Sequence, residues 1–156
     1  MKLLMVCLGN ICRSPLAEGI MQTQIDQHQL DWTVDSAGTG SWHVGNLPDP
    51  RSIDVARKHG LDITHQRARQ LKAADLEEFD LIFAMDSSNY QNILRLATTE
   101  AQREKVKLIM NMERPGYNES VPDPYYEADG FEAVYEMLVR ACEGVIKEWR
   151  SNNLSL

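Results

Sequence analysis

The sequence predicts an α/β fold, a parallel sheet with helices on both faces. Three observations carry the prediction. Short apolar runs alternate with longer helical stretches along the whole chain. The first run, Leu3-Leu4-Met5-Val6, is continuous rather than alternating, as in a strand buried on both faces. Between Phe131 and Trp149 the residues Phe131, Val134, Leu138, Cys142, Val145 and Trp149 recur three or four apart, the stripe of a long amphipathic helix.

The elements follow in order. After the first strand, Ser14-Pro15 offers an N-cap and a proline at the first helical position, with Leu16, Ile20 and Ile25 on one face. Trp32-Thr33-Val34 is a second, weaker strand. Pro50 to His59 reads as a helix stopped by Gly60. Leu81 to Met85 is a third strand, and Ser87 to Ala97 a helix carrying Ile93, Leu94 and Ala97. Val106 to Met110 is the fourth strand. Right-handed crossovers leave few topologies. In such sheets ligands bind beyond the carboxyl ends of the strands, where strand order reverses. With the first strand central, the loop Cys7 to Arg13 falls at that crevice.

The 156 residues fit one domain, 1–156, with no repeats, low-complexity tract or linker. A chain of this length buries about two-thirds of its unfolded surface and needs no metal or disulfide staple. With 43% hydrophobic and 25% charged residues the composition is globular. Sixteen Lys and Arg against 23 Asp and Glu give a net charge of −7, which disfavours nucleic acid and anionic membrane as partners. One anion in a local pocket remains compatible with that charge. No run of about 18 apolar residues spans a membrane. Met1-Lys2 leads directly into a short apolar run without a cleavage site, so no signal peptide is expected. Three cysteines make no disulfide framework. The expectation is a soluble, reduced, cytoplasmic protein.

The loop Cys7-Leu8-Gly9-Asn10-Ile11-Cys12-Arg13-Ser14 joins a buried strand to a helix N-terminus. Free N–H groups of a first helical turn and the helix dipole attract an anion. Gly9 and Asn10 tolerate positive φ, which lets successive N–H groups curl into a nest. Arg13 supplies a planar fork for two oxygens of a phosphate. Such surroundings favour the nucleophilic thiolate of Cys7 at the floor, with Ser14 placed to donate to the sulfur. With ten Arg and 15 Ser or Thr in the chain, Arg six positions after a Cys is expected about 0.2 times by chance, and with Ser or Thr next about 0.02 times. The competing account of Cys7 is a small buried hydrophobe, and its neighbours weigh against that.

The first 19 residues, from Met1-Lys-Leu-Leu-Met-Val-Cys7 through Arg13-Ser-Pro-Leu-Ala-Glu-Gly19, resemble the amino terminus of a low-molecular-weight protein tyrosine phosphatase. The resemblance continues through Val34 to Thr39, Gly45 to Arg51, Ala68-Arg69-Gln70, Ala84-Met85-Asp86 and Val121 to Tyr126. It implies a four-stranded parallel sheet in the order 2-1-3-4 and hydrolysis through a phosphocysteine intermediate without metal or cofactor. It assigns Cys7 as nucleophile, Arg13 as transition-state clamp and Asp123 as general acid and base. Asp123 lies between Pro122 and Pro124, which restrict its backbone; on its own it reads as a turn aspartate. The implied ligands are a tyrosine-phosphorylated protein and anions of the phosphate or vanadate type. Leu8, Gly9, Asn10, Ile11, Cys12 and Ser14 line the phosphate site. Trp42 is one aromatic wall, with Tyr125 or Tyr126 opposite.

The resemblance also suggests that Cys12 traps oxidised Cys7 as a disulfide; loop packing is the other account. Cys142, on the apolar stripe, is structural. Asn10, Ser14 and Ser36 match a loop-bracing network that usually includes a histidine before Arg-Ala-Arg. Gln66 stands there in this chain, so either its amide substitutes or His65 swings in. Asp86 orients Arg13, or caps a helix. Three rival functions weigh less. A thioredoxin-coupled arsenate reductase needs further cysteines, and none lies between Leu81 and Ala97. A phosphoprotein-binding module needs neither Cys7 nor Asp123. A zinc site at Cys7 and Cys12 lacks a second pair of ligands.

Overall fold

In a computed structural model describing residues 1–127, 129–152 and 154, four parallel strands form one sheet in the order β2-β1-β3-β4. They are β1 (Lys2–Cys7), β2 (Thr33–Gly38), β3 (Leu81–Ala84) and β4 (Val106–Leu108). The helices are α1 (Arg13–Gln27), α2 (Pro50–Lys58), α3 (Asp75–Glu78), α4 (Ser87–Leu94), α5 (Glu100–Glu104) and α6 (Gly130–Arg150). Short 3₁₀ turns cover Ile109–Met112 and Pro124–Tyr126.

The apolar run of β1 is continuous because both faces of the sheet are covered. Successive side chains point to opposite faces. Leu3 and Met5 enter a core with Leu16 and Ile20 of α1, Val55 of α2, and Val134 and Leu138 of α6. Leu4 and Val6 enter a second core with Leu76 of α3 and Ile93 of α4. Each fully buried Leu or Ile of this kind contributes about 1.5–3 kcal/mol of transfer free energy. Central β1 has β2 on one side and β3 on the other, so the chain reverses its direction across the sheet at β1. The crevice beyond Cys7 is that switch point.

Several boundaries differ from the sequence reading. Trp32 lies outside β2; it is buried edge-on against Trp149, with ring centroids 5.0 Å apart. Its packing is tertiary, and β2 instead runs on to Gly38. The strand read to Met110 closes at Leu108, where the chain tightens into a 3₁₀ turn. The helix read to Ala97 ends at Leu94, and α3 and α5 are one-turn helices too short to leave a period. Helix α1 begins at Arg13 with Cys12 as N-cap and no side-chain cap, so Ser14 is not a capping residue. Its hydroxyl is used elsewhere.

Candidate active site

Cys7 ends β1 and its sulfur closes the floor of a cleft of about 370 Å³. The residue is only 2% exposed, yet it borders the cleft rather than the core alone. Asn10 takes a left-handed conformation, φ 57°, which curls the loop over the sulfur; Gly9 does not. The turned backbone brings the Asn10 N–H to 3.3 Å from Cys7 Sγ. Ser14 Oγ lies 3.0 Å from the same sulfur. Among the described residues, the N–H groups of Gly9, Ile11 and Cys12 have no acceptor. They are the free donors of a nest at a helix N-terminus.

Neighbouring strands and loops fix this curve. The Thr39 and Gly40 N–H groups donate to the carbonyls of Cys7 and Leu8, both at 2.9 Å, and Asp49 N–H donates to Ile11 at 2.8 Å. The buried Ser52 hydroxyl donates to the Cys12 carbonyl. Inside the curve, Asn10 Nδ2 donates to Ser14 Oγ at 2.8 Å and to Ser36 Oγ at 3.0 Å, and its Oδ1 accepts from Arg69 N–H at 2.9 Å. Gln66 is not part of this brace. Its Nε2 donates to the Pro15 carbonyl at 3.0 Å, its buried Oε1 has no partner among the described residues, and His65 is exposed. The side chain therefore supports the first turn of α1, since it reaches the helix rather than the loop.

Arg13, 2% exposed, is held from two directions. Its Nη1 donates to Asp86 Oδ2 at 2.6 Å and to the Val121 carbonyl at 3.0 Å. Asp86 Oδ1 meanwhile accepts from Asn89 N–H at 2.7 Å and caps α4. One carboxylate thus orients the arginine and caps the helix. Because Nη1 is committed, Nε and Nη2 form the edge left to meet an anion. Asp123 Oδ2 stands 3.7 Å from Nη2, while its Oδ1 accepts from Tyr125 N–H at 3.0 Å.

Aromatic groups form the mouth. Trp42 is 72% exposed, and its indole lies against Gly40, where an added Cβ would fall 1.9 Å from the ring. Tyr125 and Tyr126 border the cleft edge to face, 4.9 Å between centroids. Arg51, paired with Asp49, lies over the Tyr125 ring at 5.5 Å. His43 also lines the cleft, its Cδ2 3.0 Å from the place of a Cβ on Gly9. Burial, reinforced by the charge of Asp49, pushes the Cys12 thiol up to about 12, so it stays neutral. Cys142 is fully buried in α6. Among the described residues, no group of three His, Cys, Asp or Glu is arranged to hold a metal ion.

Sequence reasoning missed His43, Arg51, Arg69, Glu18 and the Val121 carbonyl. Arg69 meets Asn10 across 59 positions and Val121 meets Arg13 across 108, distances that carry no local periodicity.

The profile of the family described as low molecular weight phosphotyrosine protein phosphatase matches residues 2–154. The protein of that name from Schizosaccharomyces pombe is 45% identical over 94% of this chain and 95% of its own. Among solved structures, a protein tyrosine phosphatase from Entamoeba histolytica, with Hepes in its active site, superposes with a TM-score of 0.92 at 39% identity, covering 99% of both chains. A Drosophila arginine phosphatase superposes with a TM-score of 0.89 at 37% identity, covering 96% of this chain and 98% of its own.

Gly38 sets the geometry of the loop from below. A Cβ there would lie 2.8 Å from the Leu8 carbonyl oxygen and 3.1 Å from Asn10 N, both backbone atoms. Gly38→Ala is therefore expected to displace the loop and weaken inorganic phosphate binding roughly tenfold, about 1.4 kcal/mol by titration calorimetry, in a folded protein. Unchanged affinity would show that the loop does not depend on this contact.

Proposed function

The chain belongs to the low molecular weight phosphotyrosine protein phosphatases, enzymes that hydrolyse phosphotyrosine through a phosphocysteine intermediate, and we propose that Cys7, Arg13 and Asp123 carry that reaction here. The observation that carries the assignment is the convergence of a sulfur, a buried guanidinium edge and a carboxylate on one cleft.

The thiolate of Cys7 attacks phosphorus from the floor, and the S–P bond forms as the bond to the phenolic oxygen breaks. The Nε–Nη2 edge of Arg13 and the free loop amides meet the charge on the equatorial oxygens, which is where phosphoryl transfer develops it. Protonated Asp123 gives its proton to the departing phenolate; Oδ2 bears it, because Oδ1 is filled by Tyr125 N–H. The same carboxylate then takes a proton from the water that attacks the phosphocysteine, releasing phosphate and the thiolate. Trp42 and Tyr125 flank a slot suited to a planar ring.

A planar guanidinium also fits between aromatic walls, and the Drosophila relative is an arginine phosphatase. The phenyl ring is the better match to the family's substrate. On matched phosphotyrosine and phosphoarginine peptides, kcat/KM is expected to favour phosphotyrosine. The reverse ranking would change the substrate while leaving the chemistry.

The three thiols are unpaired, the net charge is −7, and no helix among the described residues is long and apolar enough to cross a membrane. These support a single phosphatase domain over 1–156, working in the cytoplasm on phosphoproteins rather than on nucleic acid or membranes. Cys12 supports reversible oxidation. Peroxide converts the Cys7 thiolate to sulfenic acid, and attack by the Cys12 thiol forms the disulfide with loss of water.

Cys7→Ser is expected to abolish hydrolysis of p-nitrophenyl phosphate in a folded protein; retained turnover would remove Cys7 from the mechanism. Asp123→Ala is expected to lower kcat by about 10²–10⁴ on phenyl phosphate. An equal rate would place the proton donor elsewhere. Peroxide inactivation should be reversed by dithiothreitol even after prolonged exposure, whereas under that exposure recovery should be lost in Cys12→Ser, whose sulfenic acid has no partner thiol and is oxidised on to the irreversible sulfinic acid. Full recovery in that variant would exclude the disulfide.

A further inference from the structure

Glu18 sits on α1 one turn beyond Ser14, half-buried, and the reaction makes no use of it. Its Oε1 accepts the Ser36 hydroxyl at 2.7 Å. The charged groups facing it are Asp35 on β2 and Arg69 in the segment before α3. Arg69 is already shared between Asp35 and Asp75, both at 3.1 Å. Ser36 is thus the fixed partner of this carboxyl group.

Asn10 determines which way each hydrogen points. Its Oδ1 faces the Arg69 backbone N–H, which can only donate, so the amide cannot be turned over. The two hydrogens of Nδ2 then go to Ser14 and Ser36. Each serine oxygen receives one hydrogen from Asn10 and turns its own away. Ser14 turns it onto Cys7 Sγ at 3.0 Å, and Ser36 onto Glu18 at 2.7 Å. The chain runs outward from one carboxamide to two acceptors, a sulfur at one end and a carboxyl group at the other. Hydrogen bonds linked in this way polarise and strengthen one another.

We propose that Glu18 is a positioning residue for the nucleophile: by accepting the Ser36 hydrogen it keeps the Ser36 oxygen turned to Asn10 Nδ2, and so steadies the carboxamide whose other Nδ2 hydrogen leaves the Ser14 hydroxyl donating to the Cys7 sulfur. The proposal rests on the reading of Cys7 as nucleophile. Without this acceptor the Ser36 hydrogen has no fixed partner, the hydroxyl is free to rotate, and its hold on Asn10 Nδ2 weakens. The loop above the sulfur slackens.

Burial pushes the Glu18 carboxyl up to about 7; the Ser36 hydrogen bond and Arg69 oppose the shift, and Asp35 adds to it. Protonated, the group accepts more weakly, so the relay tightens as pH rises through about 7. Stability moves the other way. A carboxyl raised in the folded state favours folding while protonated, and that contribution is lost as pH rises from the ordinary 4.5 towards about 7.

Two variants test the assignment. Glu18→Ala, checked by circular dichroism, is expected to lower kcat on p-nitrophenyl phosphate about tenfold with KM within about twofold. It should also move alkylation of Cys7 by iodoacetate, followed by mass spectrometry, to higher pH. Glu18→Gln retains an acceptor oxygen but no titrating group. It should recover most of kcat and lose from the kcat profile the ionisation near pH 7 that is expected of the parent. Parental kcat and alkylation in folded Glu18→Ala would overturn the proposal, as would a Glu18→Gln variant as impaired as the alanine. Should Glu18→Ala not fold, a parental pH profile in Glu18→Gln overturns it. Failure of the parent to hydrolyse the substrate would instead defeat the phosphatase reading; the alkylation comparison would still decide the role of Glu18.

Discussion

The structure around the cleft depends on keeping one buried cation in place with one edge of its guanidinium free. Removing Arg13 from water costs several kcal/mol unless charge and hydrogen bonds replace the hydration. Asp86 supplies the charge and the Val121 carbonyl a further acceptor, both on Nη1. That arrangement joins three parts of the chain that are remote in sequence. The loop after β1 brings the arginine, the end of β3 brings Asp86, and the segment before the 3₁₀ turn brings Val121 and, two residues on, Asp123. The sheet order serves this arrangement. With β1 beside β3, the carboxyl ends of both strands open on the same crevice, and Val121 N–H is tied to the Met85 carbonyl at 2.8 Å.

The same loop holds two cysteines in different surroundings. Cys7 has the Asn10 N–H and the Ser14 hydroxyl directed at its sulfur. Cys12 has burial and the negative charge of Asp49, and its thiol is pushed up to about 12. Five residues of separation therefore give one sulfur that lies beside hydrogen-bond donors at the cleft and one that stays protonated.

Much of the fold and the centre of the site were legible in the sequence. A buried parallel strand leaves an unbroken apolar run, and Leu3 to Val6 is such a run. Cys7, Arg13 and Ser14 lie within one turn and loop, so local spacing reports them. What escaped was set by tertiary contact. Ser14-Pro15 has the composition of a helix start, yet the serine hydroxyl is taken by Cys7 and the helix opens at Arg13, two residues before the Pro15 that a Ser14 cap would place first. Of two residues able to take positive φ, only Asn10 does so, because its side chain is simultaneously anchored to Ser14, Ser36 and Arg69. Trp42, which lines the cleft, is indicated by the resemblance to the family and its polar flanks, since neither its exposure nor its rest on Gly40 is encoded in a period.

Position 66 shows how a local motif can mislead about a network. Gln66 follows the pattern of a loop brace by sequence, but a brace must reach Asn10 or Ser36, and Gln66 reaches the Pro15 carbonyl instead. Its Oε1 is buried with no partner among the described residues and adds nothing to the loop. The demand for an acceptor at Ser36 persists whatever occupies position 66, since Asn10 directs a hydrogen at that oxygen and the serine must place its own. Glu18 meets it from the helix that the phosphate loop itself begins. The carboxyl and the loop are therefore both carried by α1, and the acceptor at Ser36 does not depend on Gln66.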